Sequence, residues 1–165
     1  ISENLNVFKR KFKNVKKQYI IYNTAIHVVD IIIFLFGKLK IIKKVGNLKS
    51  TNKNLIILAE NKSKIPIYFN ISHNSPENNS IKIKLNNSKI YELKPIEFLN
   101  EFNGMTINII DGVRSYKPNK VSQKAENYKY KPGFLTQMKN FLHQKKKCKI
   151  YDAIDTMHFL KKIIS

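Results

Sequence analysis

Tyr22-Asn23-Thr24-Ala25-Ile26-His27-Val28-Val29-Asp30, continuing through Ile31-Ile32-Ile33-Phe34-Leu35-Phe36 to Gly37, decides how the rest of the chain is read. The apolar run predicts a helix over about 24–36, with Asn23 as its N-cap and Gly37 just past its end. At about 3.6 residues per turn, Asn23, His27, Asp30 and Phe34 share one stripe. The other positions are dominated by Ile, Val, Leu and Phe, so most of the helix is expected to be buried. A polar stripe on such a helix must find partners or line a cleft.

Outward from this helix the pattern changes to strands. Residues 6–13 alternate loosely and lead to a basic turn at 14–18. Strands are expected over 38–48 and 55–59. Ile65, Ile67, Phe69 and Ile71 alternate with Pro66, Tyr68, Asn70 and Ser72, and Ile81, Ile83 and Leu85 alternate with Lys82 and Lys84. A period of two with one polar side predicts strands that place a single face on a core. The segment 73–79, including His73, is a turn by composition, and Asn86-Asn87-Ser88 predicts a hairpin between 80–85 and 89–93. Met105–Ile110 is a further strand, ending at Asp111-Gly112. Residues 116–130 are polar, carry Pro118 and read as a long connection.

Two helices follow. One begins after Pro132-Gly133, with Phe134, Leu135, Met138, Phe141 and Leu142 on one face. The other, about 152–164, is expected to bury Ala153, Ile154, Met157, Leu160 and Ile164. This order predicts a single α+β domain over 1–165: an open, mostly antiparallel sheet with helices packed on one face.

The chain has 165 residues and a formal net charge of +20. Such a charge invites nucleic acid as a partner. The basic residues are nearly all lysine, Arg10 and Arg114 excepted, whereas base-edge and phosphate-fork contacts favour arginine. Lysine, asparagine and isoleucine are in excess together, as an A+T-rich coding sequence would make them. A basic nucleic-acid-binding domain therefore stands third among the readings. The single cysteine, Cys148, rules out an internal disulfide and fits a reducing cytoplasm. Asn23, His27 and Asp30 interrupt the longest apolar run, so no membrane partner is expected. The 5 glycines are too dispersed for a G-x-G-x-x-G turn, and no dinucleotide-cradling loop is present. No metal-ligand spacing stands out, and His73, His143 and His158 read as ordinary surface residues.

The helix also carries a resemblance. Asn23-x-x-x-His27-x-x-Asp30, closing at Gly37, resembles the D-x-x-x-H-x-x-D motif that opens the C-terminal domain of the Gfo/Idh/MocA family of NAD(P)-dependent oxidoreductases. Tyr130-Lys131-Pro132-Gly133-Phe134-Leu135, Phe141-Leu142 and Asp152-Ala153 are similar to that family's closing helix pair. The histidine helix is the more specific of these motifs, and the likeness spans most of the chain.

The resemblance implies the substrate-binding domain of a two-domain enzyme whose dinucleotide-binding (Rossmann) domain is absent from this chain. A start at Ile1 rather than Met fits a missing upstream half, and Leu93-Lys94-Pro95 only echoes the family's Glu-Lys-Pro segment. The cofactor would be NAD or NADP in the full-length context, with none bound by this chain alone. Its partners would be a sugar, sugar-nucleotide or polyol substrate, the dinucleotide-binding domain, and a second copy through the sheet face.

The resemblance makes His27 the acid/base group of hydride transfer: neutral imidazole takes a hydroxyl proton as hydride leaves the same carbon. Asn23 stands where the family usually has aspartate, keeping the hydrogen-bonding shape and losing the charge. Asp30, one turn beyond His27, is a candidate substrate-binding residue or a carboxylate paired with a lysine from the sheet. The alternative from another class is a binding or assembly module that keeps the fold without the chemistry.

Overall fold

The computed structural model describes residues 2–3, 21–48, 54–73, 75–125, 133–143 and 150–165. The fold is α+β. Its elements run β1 (Ser2–Glu3), α1 (Ile21–Phe36), β2 (Leu39–Gly46), β3 (Asn54–Asn61), β4 (Pro66–His73), β5 (Ile81–Lys84), β6 (Lys89–Leu93), β7 (Phe98–Ile110), β8 (Val113–Ala125), α2 (Phe134–Leu142) and α3 (Ile150–Ile164). The strands make two four-stranded sheets, ordered β1-β4-β3-β2 and β5-β6-β7-β8, rather than one. The chain correspondingly divides into two compact units, Ile1–Asn78 with Cys148–Ser165, and Asn79–Lys147. The predicted strand over 6–13, its basic turn and Cys148 lie outside the described residues.

In the first unit, the alternation of β3 and β4 becomes a set of directly opposed pairs. Leu55 faces Ile71, Ile57 faces Phe69 and Ala59 faces Ile67, and all six are buried. The residues between them, Leu58 and Tyr68, oppose each other on the other side and are 40% and 62% exposed. Both helices of the unit complete the core, α1 through Ile21, Ala25, Val28, Val29 and Ile32, and α3 through Phe159, Leu160 and Ile163. The Phe69 and Phe159 rings meet at 5.7 Å between centroids, tilted by 46°, which joins sheet to helix. Each fully buried Ile or Leu here contributes about 1.5–3 kcal/mol. That burial is needed, because half of α1 is β-branched and has little helix propensity of its own.

Helix α1 starts at Ile21, earlier than predicted, so Asn23 lies in its first turn and is not the cap. Its other end follows the prediction. Gly37 takes φ 78 and its N–H bonds the Ile33 carbonyl at 2.8 Å, a left-handed cap that a side chain would strain. Asn61 adds a second tie, its Nδ2 donating to the Phe36 carbonyl at 2.9 Å while its Oδ1 accepts from the Ile65 N–H at 2.9 Å. The turn into β4 and the end of the helix are thus held by one buried amide. Gly46, at φ 87, is required for a different reason, since a Cβ there would run into the backbone oxygen of Asn54. Lys40, Lys43 and Lys44 on the edge strand β2 discourage pairing with another chain.

The face of α3 differs from the predicted one. Ala153, Ile154 and Met157 are exposed, and the buried residues are Thr156, Phe159, Leu160 and Ile163. Two stripes, 153/157/160/164 and 156/159/160/163, fit a helical period equally well; Phe69 and Asp30 select the second. His73 closes β4, paired with Glu3, rather than lying in a turn.

In the second unit, β5 and β6 form the predicted hairpin, with the Leu85 N–H bonded to the Lys89 carbonyl at 2.9 Å. The polar stretch from Tyr116 to Ala125 is not a connection but most of β8, which pairs with β7 in a hairpin whose strands are 13 residues each; residues 126–130 lie outside the described residues. Asp111 and Gly112 both have positive φ, 51 and 77, the backbone of a two-residue I′ turn. β8 is an edge strand, where Pro118 is tolerated because half of the N–H groups have no ladder to join. From Gly104 to Val113 the arm is exposed on both faces, and every described residue of α2 is exposed or only half-buried.

Candidate functional site

α1 has two faces. Ile21, Ala25, Val28, Val29 and Ile32 make its core side, and Asn23, His27, Asp30 and Phe34 make a stripe on the opposite, solvent side. The four predicted neighbours do share a face. That face is open, however, so the helix is half core and half surface, and Phe34 at its end is 79% exposed. Beyond the backbone bonds of the helix, the side chains of His27 and Asn23 make no hydrogen bond among the described residues.

Asp30 is anchored. Its Oδ1 accepts a hydrogen bond from the Thr156 hydroxyl at 2.8 Å, and Thr156 is buried at 1% exposure. The same hydroxyl lies 3.3 Å from the Asp152 carbonyl. It has one proton, and the shorter, charge-assisted contact to Asp30 is the stronger claim on it. Of the alternatives for Asp30, a lysine pair is not formed among the described residues, and a threonine hydroxyl from the last helix stands in its place. This bond fixes one carboxylate oxygen of a residue that lies one helical turn from His27 on α1.

Thr156 is the residue that sequence reasoning missed. A threonine at the centre of the 156/159/160/163 stripe is a polar residue on a buried face, and such a residue needs a partner. Nearby, Asp155 pairs with Lys38 at 3.1 Å, a largely exposed ion pair worth little by itself.

Chemically, the stripe offers an imidazole able to accept or donate a proton, a neutral amide with both hydrogen-bonding roles, and a positioned carboxylate. Among the described residues no group of three or more His, Cys, Asp or Glu side chains is arranged to hold a metal ion. Among the described residues no helix is long and apolar enough to cross a membrane.

The described residues of the second unit include a polar cluster around Glu101. Glu101 Oε1 accepts from the Tyr91 hydroxyl at 3.4 Å and Oε2 from the Ser122 hydroxyl at 3.3 Å, with Lys89 Nζ at 3.9 Å. These four residues stand on three adjacent strands and tie β6, β7 and β8 together. The weak distances suit a cross-strand clasp on a sheet surface better than a reaction centre.

No protein-family model matches the chain, and neither a curated protein nor a solved structure is found to match it.

Proposed function

We propose that this chain is the substrate-binding domain of an NAD(P)-dependent oxidoreductase of the Gfo/Idh/MocA type, acting in the cytoplasm on a sugar, a sugar nucleotide or another polyol. The observation that carries the reading is the open stripe of Asn23, His27 and Asp30 on a helix whose other side is core. A histidine on the surface of a rigid, core-anchored helix can meet a substrate and a second domain without rearrangement.

In this reading a dinucleotide-binding domain, in cis or in trans, docks against the stripe, and NAD(P) supplies the hydride acceptor. His27 takes the proton of the substrate hydroxyl on a ring nitrogen and returns it in the reverse direction. Asp30, its Oδ1 held by Thr156, uses Oδ2 to accept from a neighbouring hydroxyl of the substrate and so orients it. Asn23 hydrogen-bonds the substrate. The open side of the first sheet, with Val45 51%, Leu58 40% and Tyr68 62% exposed, suits association with a second copy.

The test joins the chain to a dinucleotide-binding domain and follows hydride transfer from polyols to NAD(P)+. His27→Ala is expected to lower kcat by about 10²–10⁴ with the fold intact, and the 165-residue chain alone should turn nothing over. Undiminished turnover by His27→Ala, or robust dehydrogenase activity of the chain alone, would refute the proposal.

Asn23 favours a second reading, a non-catalytic binding or assembly module of the same fold. The amide is neutral and, among the described residues, not bonded to His27, so it provides no charge to stabilise an imidazolium. Ligand binding without turnover in the joined protein would support the module.

A further inference from the structure

Where α1 ends and the turn from β3 to β4 begins, the surface of the first unit has a shallow, open hollow of about 280 Å³. Lys38, Lys40, Lys62 and Lys64 line it, with Leu39, Glu60 and Asn61 between them. Carboxylates balance two of these cations: Lys38 pairs with Asp155 at 3.1 Å and Lys64 with Glu60 at 2.7 Å. Lys40 and Lys62 have no such partner among the described residues, and both reach the hollow from exposed positions.

The wall that carries them is fixed. Asn61 is 9% exposed and spends its amide on the Phe36 carbonyl and the Ile65 N–H, while the Lys64 N–H closes the turn on the Asn61 carbonyl at 3.1 Å. A helix C-terminus is the negative end of its dipole and repels anions. Here the Phe36 carbonyl accepts from Asn61 and the Ile33 carbonyl from the Gly37 N–H, so two of the last carbonyls of the helix are satisfied and that opposition is reduced. Two lysines that form no ion pair among the described residues thus line a shallow, open hollow whose wall is held in place, and Glu60, opposite Lys40, is the one carboxylate among its lining residues.

We propose that this hollow is an anion site that takes the phosphate groups of a small-molecule ligand, with Lys40 and Lys62 as its principal contacts. Lysine binds phosphate as a point charge with rotatable donors, so the site reads charge and not the rest of the molecule. It lies beyond the C-terminal end of α1, roughly 15 Å along the helix from His27, and it does not depend on the role given to that histidine.

The experiment titrates the chain with pyrophosphate and follows backbone amide NMR shifts at about 0.1 M salt, where attraction beyond about 10 Å is screened. Saturable shifts centred on 38–40 and 60–64 are expected. Lys40→Ala with Lys62→Ala should weaken binding about tenfold or more. Lys84→Ala with Lys117→Ala, which removes the same charge from the other unit, should change it by less than about twofold. Inorganic phosphate and a nucleoside diphosphate, run in parallel, should compete for the same residues. Unsaturable shifts spread over lysines along the chain, or equal weakening by both double variants, would overturn the site and leave only diffuse attraction to a chain of net charge +20.

Discussion

The first unit and the second use similar apolar residues to opposite ends. In the first, Ile57, Ile71 and Leu160 are each 0% exposed and stand between a sheet and two helices. In the second, Ile107 and Ile109 are 59% and 72% exposed on the long hairpin, and Phe141 is 72% exposed on α2. Alternation along a strand identifies an apolar side in both, but only a covering layer turns that side into stability. Core-forming capacity is therefore a property of what lies opposite a strand.

The largest effect should come from the centre of the first unit. Leu160→Ala should cost about 2–5 kcal/mol in urea unfolding, a large part of a typical domain's stability. A loss below about 1 kcal/mol would erase the contrast between the units. Removing the link between the helices should do less. Thr156→Val keeps the shape and leaves Asp30 to water, so a cost of about 1 kcal/mol is expected from the same measurement. The arm should do least: Ile107→Asn and Ile109→Asn should each stay within about 0.5 kcal/mol of the parent. A large loss there would mean that the exposed side of the hairpin is covered in solution.

The parts legible in the sequence are those where one face is buried. β4 reads directly because Ile67, Phe69 and Ile71 are all buried on one face, Phe69 against Phe159, and the β5–β6 hairpin reads from Asn86-Asn87-Ser88. β8 was illegible by the same logic. With both faces of β8 largely exposed, nothing selects an alternating pattern along it, and Pro118 reads as a break although an edge strand accepts it. The available clue was Asp111-Gly112, a dipeptide suited to a two-residue hairpin turn.

The face of α3 was misplaced because Ile154 and Met157 outrank Thr156 in hydropathy, whereas a partner on another helix, Asp30, decides which side turns inward. The helix of the candidate site was legible as a helix and as a polar stripe. Its orientation was not, since spacing places residues on a common face without saying whether that face meets the core or the solvent.

The most direct measurement compares two substitutions one and a half turns apart on α1. Ile32, 7% exposed, belongs to the core side, and His27 to the open side. Ile32→Ala should lose about 2–5 kcal/mol in equilibrium urea unfolding, and His27→Ala less than about 0.5 kcal/mol. That outcome marks the imidazole as a group the fold does not need. A His27→Ala loss matching that of Ile32→Ala would make the histidine a packing residue and contradict the open stripe on which the proposed chemistry rests.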